Sequence, residues 1–136
     1  MTFAIKAEVD DPGARTFVFN EQKTMYGGRR IANNDTIFIF ASENEGGSGL
    51  VARGTVTSAI AVPKKSGVAR QTPRVSIAVR RLSLARRRLG RTELKRFSSW
   101  SDGRPETELN FKFYRQATNK IVGLSEEAAA FLSGFF

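Results

Sequence analysis

Arginine is the residue with the most chemistry to offer in this chain. Fifteen arginines and seven lysines face thirteen acidic residues, for a net charge of +9, and there is no histidine and no cysteine. Twelve of the basic residues fall between Lys64 and Arg96, where only Glu93 opposes them, so this segment carries +11. The remainder holds ten basic and twelve acidic residues, or −2. A guanidinium is a planar fork that pairs with phosphate and with base edges and stacks on rings, and the arginine bias therefore favours nucleic acid over mere solubility. Such lopsidedness is the footprint of a protein that meets a polyanion, although a solvated basic face would leave the same run of charge.

The missing residue types exclude chemistry as well. Without histidine or cysteine there can be no zinc site built from nitrogen and sulfur ligands, no Ser-His-Asp triad and no Cys-His pair. Acid–base work would fall to Asp, Glu, Lys or Tyr. Asp10–Asp11 and Glu43-Asn44-Glu45 are the acidic clusters near turns, and neither has EF-hand spacing, so both read as turn chemistry and no metal or cofactor is expected. Tyr26-Gly27-Gly28-Arg29-Arg30 is glycine-rich enough to bring backbone amides to a phosphate. It lacks the GxxxxGK[ST] pattern, and a plain turn explains it equally. Trp100, the single tryptophan, lies between Ser99 and Ser101. A loop tryptophan plugs a core or stacks a base, and with Arg96, Phe97 and Arg104 close by in sequence both readings stand.

The elements that must position these residues are mostly strands. Phe3–Ala7 alternates, Thr16–Phe19 is short and extended, and Thr36–Ala41 is apolar on both faces, as in a strand covered on two sides. Leu50–Val62 is a long β-prone stretch with a bend or bulge expected at Gly54, and Pro73–Leu82 alternates cleanly. Lys23–Arg30, Glu43–Gly49 and Lys64–Thr72 read as loops. Propensity predicts a helix over Leu84–Phe97, on which Arg87, Arg91 and Lys95 would form one basic stripe. Alternation of Leu109, Phe111 and Phe113 predicts a strand, followed by a hairpin turn at Ala117–Asn119 into Lys120–Gly123. Ser125 caps a C-terminal helix with Glu126 and Glu127 in its first turn and Gly134 at its end.

These elements amount to one domain over residues 1–136, mainly β with helices (α+β): a small barrel of five or six strands plus two helices. Hydrophobic content of 40% with eleven Phe is enough for a real core. No apolar run approaches the roughly 20 residues of a membrane span, the N-terminus lacks the pattern of a signal peptide, and a cytoplasmic location is the default expectation.

Read in order, several segments resemble EVE-type domains of the PUA-like superfamily. Phe3-Ala4-Ile5-Lys6-Ala7-Glu8 is similar to their first strand, which ends in Lys-x-Glu-Pro; here Val9 and Asp10 stand where the proline would be. Tyr26-Gly27-Gly28-Arg29 sits where they carry Trp-x-Gly-Val-Arg-Asn. Asn34–Ser42 resembles their Gly-Asp strand, and Gly49–Val56 the strand after it. Phe113–Gln116 with the C-terminal helix fits the end of that fold.

The resemblance implies a PUA-like pseudo-barrel whose pocket holds a modified or flipped base. Tyr26, Trp100 and Phe97 would be its walls. Lys6, Ser42 and Asn44 would be polar contacts, with Glu8, Gly28 and Arg29 in the same pocket. Arg80, Arg87, Arg88, Arg91, Lys95 and Arg96 would hold phosphates of DNA or RNA. Relatives in the ASCH group imply an alternative, a small nucleotide-processing enzyme centred on Lys6, Glu8 and Arg29. A basic protein-interaction module is a third reading.

Overall fold

Three strands of this chain are buried on both faces, and two of them, lying side by side, organise the molecule. The computed structural model describes residues 1–136. β1 (Thr2–Ala7) and β3 (Thr36–Ala41) lie side by side and parallel, with Phe3 opposite Ile37 and Lys6 opposite Phe40. β4 (Gly49–Ala61) and β5 (Arg74–Leu84) continue the sheet antiparallel, then β2 (Thr16–Met25) and β6 (Lys120–Gly123) complete a closed six-stranded barrel in the order β1-β3-β4-β5-β2-β6. The seam between β2 and β6 is parallel and only two residue pairs long, Thr24–Ile121 and Met25–Val122.

Period-two alternation divides the apolar residues between two cores. Phe3, Ile5, Phe17, Phe19, Ile37, Ile39, Val56, Ile77, Val79 and Ile121 fill the barrel. Ala4, Phe38, Phe40 and Val122 point outward and meet Leu109 and Phe113 of α2 (Pro105–Phe113) and Leu132 of α3 (Glu126–Ser133). β1 and β3 thus carry no polar face, as the sequence of Thr36–Ala41 predicts. Gly54 sits at a register shift of β4 against β5, where a Cβ would lie 2.6 Å from the Arg80 carbonyl oxygen, which accounts for the expected bulge.

Several expectations are corrected. Leu84–Phe97 is not one helix: Leu84 ends β5, paired with Ala52, and only Arg91–Leu94 (α1) makes a helical turn. Long β4 demands a long partner, and tertiary pairing overrides helix propensity there. Residues Leu109–Phe113 are not a strand but the last turns of α2. Leu109 and Phe113, four apart, share its buried face while Phe111 looks outward. There are accordingly three helices rather than two, one of them a single turn. β2 runs to Met25, into the expected loop, and β6 pairs with β1 and β2 instead of a hairpin neighbour. No helix is long and apolar enough to cross a membrane.

Candidate nucleic-acid interface

β1 and β3 end together, and a polar cluster gathers where they stop. Lys6 follows Ala4 on the outward face of β1 and is fully buried beneath the end of α2, where its Nζ donates to the Phe113 carbonyl at 2.8 Å and lies 5.0 Å from the centre of the Tyr114 ring. Burial pushes its pKa down from the usual lysine value, and the Glu43 charge partly restores it. Glu43 opens the 3₁₀ turn after β3. Its carboxylate accepts the Tyr114 hydroxyl at 3.0 Å and the Arg91 backbone N–H at 2.7 Å. Burial, with that carboxylate, raises the Tyr114 pKa. Arg91 reaches back to the Asn44 side-chain oxygen at 2.8 Å. Ser42 is buried among them, and its hydroxyl has no hydrogen-bond partner.

Across the sheet from Lys6 stands a second buried lysine. Lys120 pairs with Lys6 in the β1–β6 register, and its Nζ donates to the carbonyls of Thr118 at 3.0 Å and Gln116 at 3.2 Å. Burial, then the positive charges of Lys6 and Lys23, bring its pKa down to about 8.

The aromatic residues assemble elsewhere, at the Gly123 end of β6. Tyr26 leaves β2 with its backbone in the left-handed region (φ 53°), an uncommon conformation for a bulky residue, while its carbonyl accepts the Gly123 N–H. The Tyr26 ring is 5.9 Å from Phe111 and the Trp100 ring is 5.5 Å from the same phenylalanine. Tyr26 and Trp100 remain 41% and 44% exposed. Two cations cover this platform: Lys112 lies 5.6 Å from the Tyr26 ring, and Arg115 lies 4.9 Å from Phe111 and 5.7 Å from Trp100. Beside it opens a cavity of about 240 Å³ lined by Trp100, Gly103, Arg104, Thr107, Glu108 and Phe111.

The residues expected to line one pocket therefore divide into two groups. Lys6, Ser42 and Asn44 belong with Glu43, Arg91 and Tyr114. Tyr26 and Trp100 belong with Phe111, three residues before Tyr114 on α2. Phe97 joins neither group: its carbonyl accepts the Asn110 side-chain amide at 3.0 Å, and Arg96 lies 4.8 Å from its ring. Glu8 and Arg29 are exposed, one just beyond β1 and the other just after Tyr26-Gly27-Gly28, whereas Lys6 is fully buried and bonded to the Phe113 carbonyl. Gly28 is buried with its Cα against β6, where a Cβ would fall 2.2 Å from the Ile121 carbonyl oxygen. That contact accounts for the glycine by packing.

Ten of the twelve basic side chains between Lys64 and Arg96 are exposed, and Arg88 alone among them has an acidic partner, Glu93 at 3.6 Å. The stripe of Arg87, Arg91 and Lys95 does not form, because only one helical turn exists there. Arg86 and Arg87 instead hold the chain end: Arg86 donates to the Phe136 carbonyl, and Arg87 donates to the Gly134 carbonyl at 2.8 Å and lies 4.4 Å from the Phe135 ring. With Arg88 they line a cleft of about 430 Å³. Arg80, Lys95 and Arg96 point to solvent.

Sequence reasoning missed Phe111, Lys112 and Arg115 as site residues, because Leu109–Phe113 reads as a strand. The signals that find them are Pro105 at the first helical position and Glu106 and Glu108 in the first turn. Glu43 and Tyr114, 71 residues apart, carry no local signal for their contact.

No protein-family model matches the chain, and no curated protein matches its sequence. Solved structures do match its fold. The DUF55 domain of human thymocyte nuclear protein 1 is 14% identical with a TM-score of 0.63, covering 98% of this chain and 97% of that one. Human THYN1, solved in complex with DNA containing 5-methylcytosine, is 16% identical with a TM-score of 0.63, covering 97% and 95%. A Pseudomonas putida protein is 13% identical with a TM-score of 0.63, covering 99% of each chain. Identities this low show a shared fold alone, a closed mixed barrel of six strands with helices, consistent with a PUA-like pseudo-barrel.

Proposed function

We propose that this protein binds nucleic acid and recognises a modified or flipped base. The observation that carries this reading is the half-exposed platform of Tyr26, Phe111 and Trp100, covered by Lys112 and Arg115, on a molecule of net charge +9. An unstacked base regains its stacking on such rings, at roughly 1–3 kcal/mol per base. Arg104 and Glu108 line the adjoining cavity and offer a donor and an acceptor to a base edge. Arg88, Lys95 and Arg96 supply phosphate contacts, which position the strand without reading its sequence. The likeness in fold to a protein solved with 5-methylcytosine DNA supports a methylated base as the first one to try.

The test is a titration of labelled single- and double-stranded oligonucleotides, with cytosine or 5-methylcytosine at one position, at two salt concentrations. Trp100→Ala is expected to weaken binding about tenfold or more, while Trp100→Phe keeps most of it. Replacing Arg88, Lys95 and Arg96 together by Ala is expected to lower both affinity and its salt dependence, because fewer counterions are released. Equal binding by the parent and Trp100→Ala would overturn the platform, and binding insensitive to salt would overturn the phosphate contacts.

A further inference from the structure

Beside α3 the chain holds a cation with no acidic partner. Arg53 of β4 stands in a cross-strand row with Phe38 of β3 and Ser83 of β5. Its Nε is buried and makes no hydrogen bond, the Ser83 hydroxyl beside it in register is likewise buried and unpartnered, and no carboxylate lies within ion-pair distance of the guanidinium. The Phe136 ring lies 5.3 Å from that charge. Against Arg53 opens a cavity of about 360 Å³, to which Thr2 of β1, Thr36 of β3 and Ser133 of α3 also contribute.

We propose that this crevice is a binding site for a phosphate group. A half-buried charge without a counter-ion is unfavourable, and a buried donor left unpaired adds to the deficit. One water takes about 30 Å³ of liquid volume, so the space exceeds what one bridging water would fill. A guanidinium presents parallel donors that match two oxygens of an oxyanion. The hydroxyls of Thr2 and Thr36 come from two different strands and can donate to the remaining oxygens, and the Ser133 hydroxyl, which donates to the Ala129 carbonyl at 2.9 Å, would turn from that carbonyl to join them. Donors arriving from several directions fit a tetrahedral anion better than a planar carboxylate. The site is separate from the aromatic platform and does not depend on the nucleic-acid reading. The phosphate is either free or part of a nucleic-acid backbone.

Other arginines will also attract phosphate, so the readout must belong to Arg53. The ¹H–¹⁵N resonance of its Nε is identified by its loss in Arg53→Lys. Titrating the full chain with inorganic phosphate is expected to move that resonance saturably, and Ser133→Ala, on the exposed face of α3, is expected to weaken the response several-fold. Arg53→Lys, which keeps a charge and most of the packing, is expected to lose about tenfold or more in the site's phosphate response, followed through the backbone amides of Thr36 and Ser133. A short oligonucleotide that moves the same resonance assigns the site to a strand backbone; one that leaves it in place while inorganic phosphate moves it assigns a free phosphate. An Arg53 resonance that does not respond, or that drifts linearly without saturation, would overturn the site. So would an unchanged response in both variants.

Discussion

Lys120 is a residue whose burial can be read out by titration. An unfolded chain holds its proton to about pH 10.5, whereas the folded protein holds it only to about 8, because burial penalises the charged form. Folding therefore releases a proton between those values, and stability rises with pH across that window, by roughly 3 kcal/mol at most. Lys6, lowered in the same direction, adds to the rise. Tyr114 acts oppositely: its folded pKa is raised above the unfolded value near 10, so stability falls again as unfolded tyrosine ionises. The denaturant midpoint is expected to increase from pH 7.5 to 9.5, and Lys120→Met is expected to remove the larger part of that increase. Equal slopes in parent and variant would show that Lys120 keeps its proton. Some of this was legible in the sequence: Tyr26 and Trp100 stand out by type and place, and the family resemblance points to Lys6 and Ser42. Lys120 did not, because nothing local shows that a four-residue strand is closed in by β1, β2 and the loop before it.

At the scale of elements, alternation misled where spacing could have served. Leu109, Phe111 and Phe113 alternate like a strand, yet Leu109 and Phe113 are also four apart, and the helix wins because Phe113 packs 5.1 Å from Phe40 over the barrel wall. The cap of α3 was legible, and the structure gives it a second task. Ser125 accepts the Ala128 N–H at 3.1 Å and donates its hydroxyl to Glu108 of α2. Burial pulls the Glu108 pKa up, but the bonds from Ser125 and Lys112 outweigh it and hold the group below the usual glutamate value. One hydroxyl therefore caps one helix and ties it to another. Ser125→Ala is expected to destabilise by about 1–3 kcal/mol, beyond the roughly 1 kcal/mol of a simple cap, because Glu108 loses a donor as well. Because the Glu108 pKa is lowered on folding, its contribution is present above the unfolded value of 4.5 and is lost as pH falls through the folded one. Thermal melts at pH 7 and pH 3.5 should show a wide gap between parent and variant at the first and a narrower one at the second. A gap independent of pH would leave only the cap.

For the molecule as a whole, the strand inventory was largely readable and the strand order was not. Thr36–Ala41 announces burial on both faces, and Gly54 announces a bend. The parallel pairings of β1 with β3 and β2 with β6 join residues 34 and 97 positions apart, and no local pattern encodes them. Barrel closure rests on the shortest of these seams, with two residue pairs, and Gly28 is pressed against it. A Cβ on Gly28 would have to displace the backbone of Ile121, which lies within β6 and cannot give way as a side chain can. Gly28→Ala is thus expected to open the seam and to destabilise the fold by about 1–3 kcal/mol, the usual range for overpacking. Amide hydrogen exchange should speed up first at Ile121 and Val122, while the β3–β4 pair stays protected. The same variant decides what the Tyr26-Gly27-Gly28 turn is for. If Gly28 lets the backbone approach a phosphate, Gly28→Ala weakens oligonucleotide binding even at temperatures where the variant is fully folded. If it seals the barrel, as its contact with Ile121 argues, affinity in the folded variant stays near that of the parent and only stability falls.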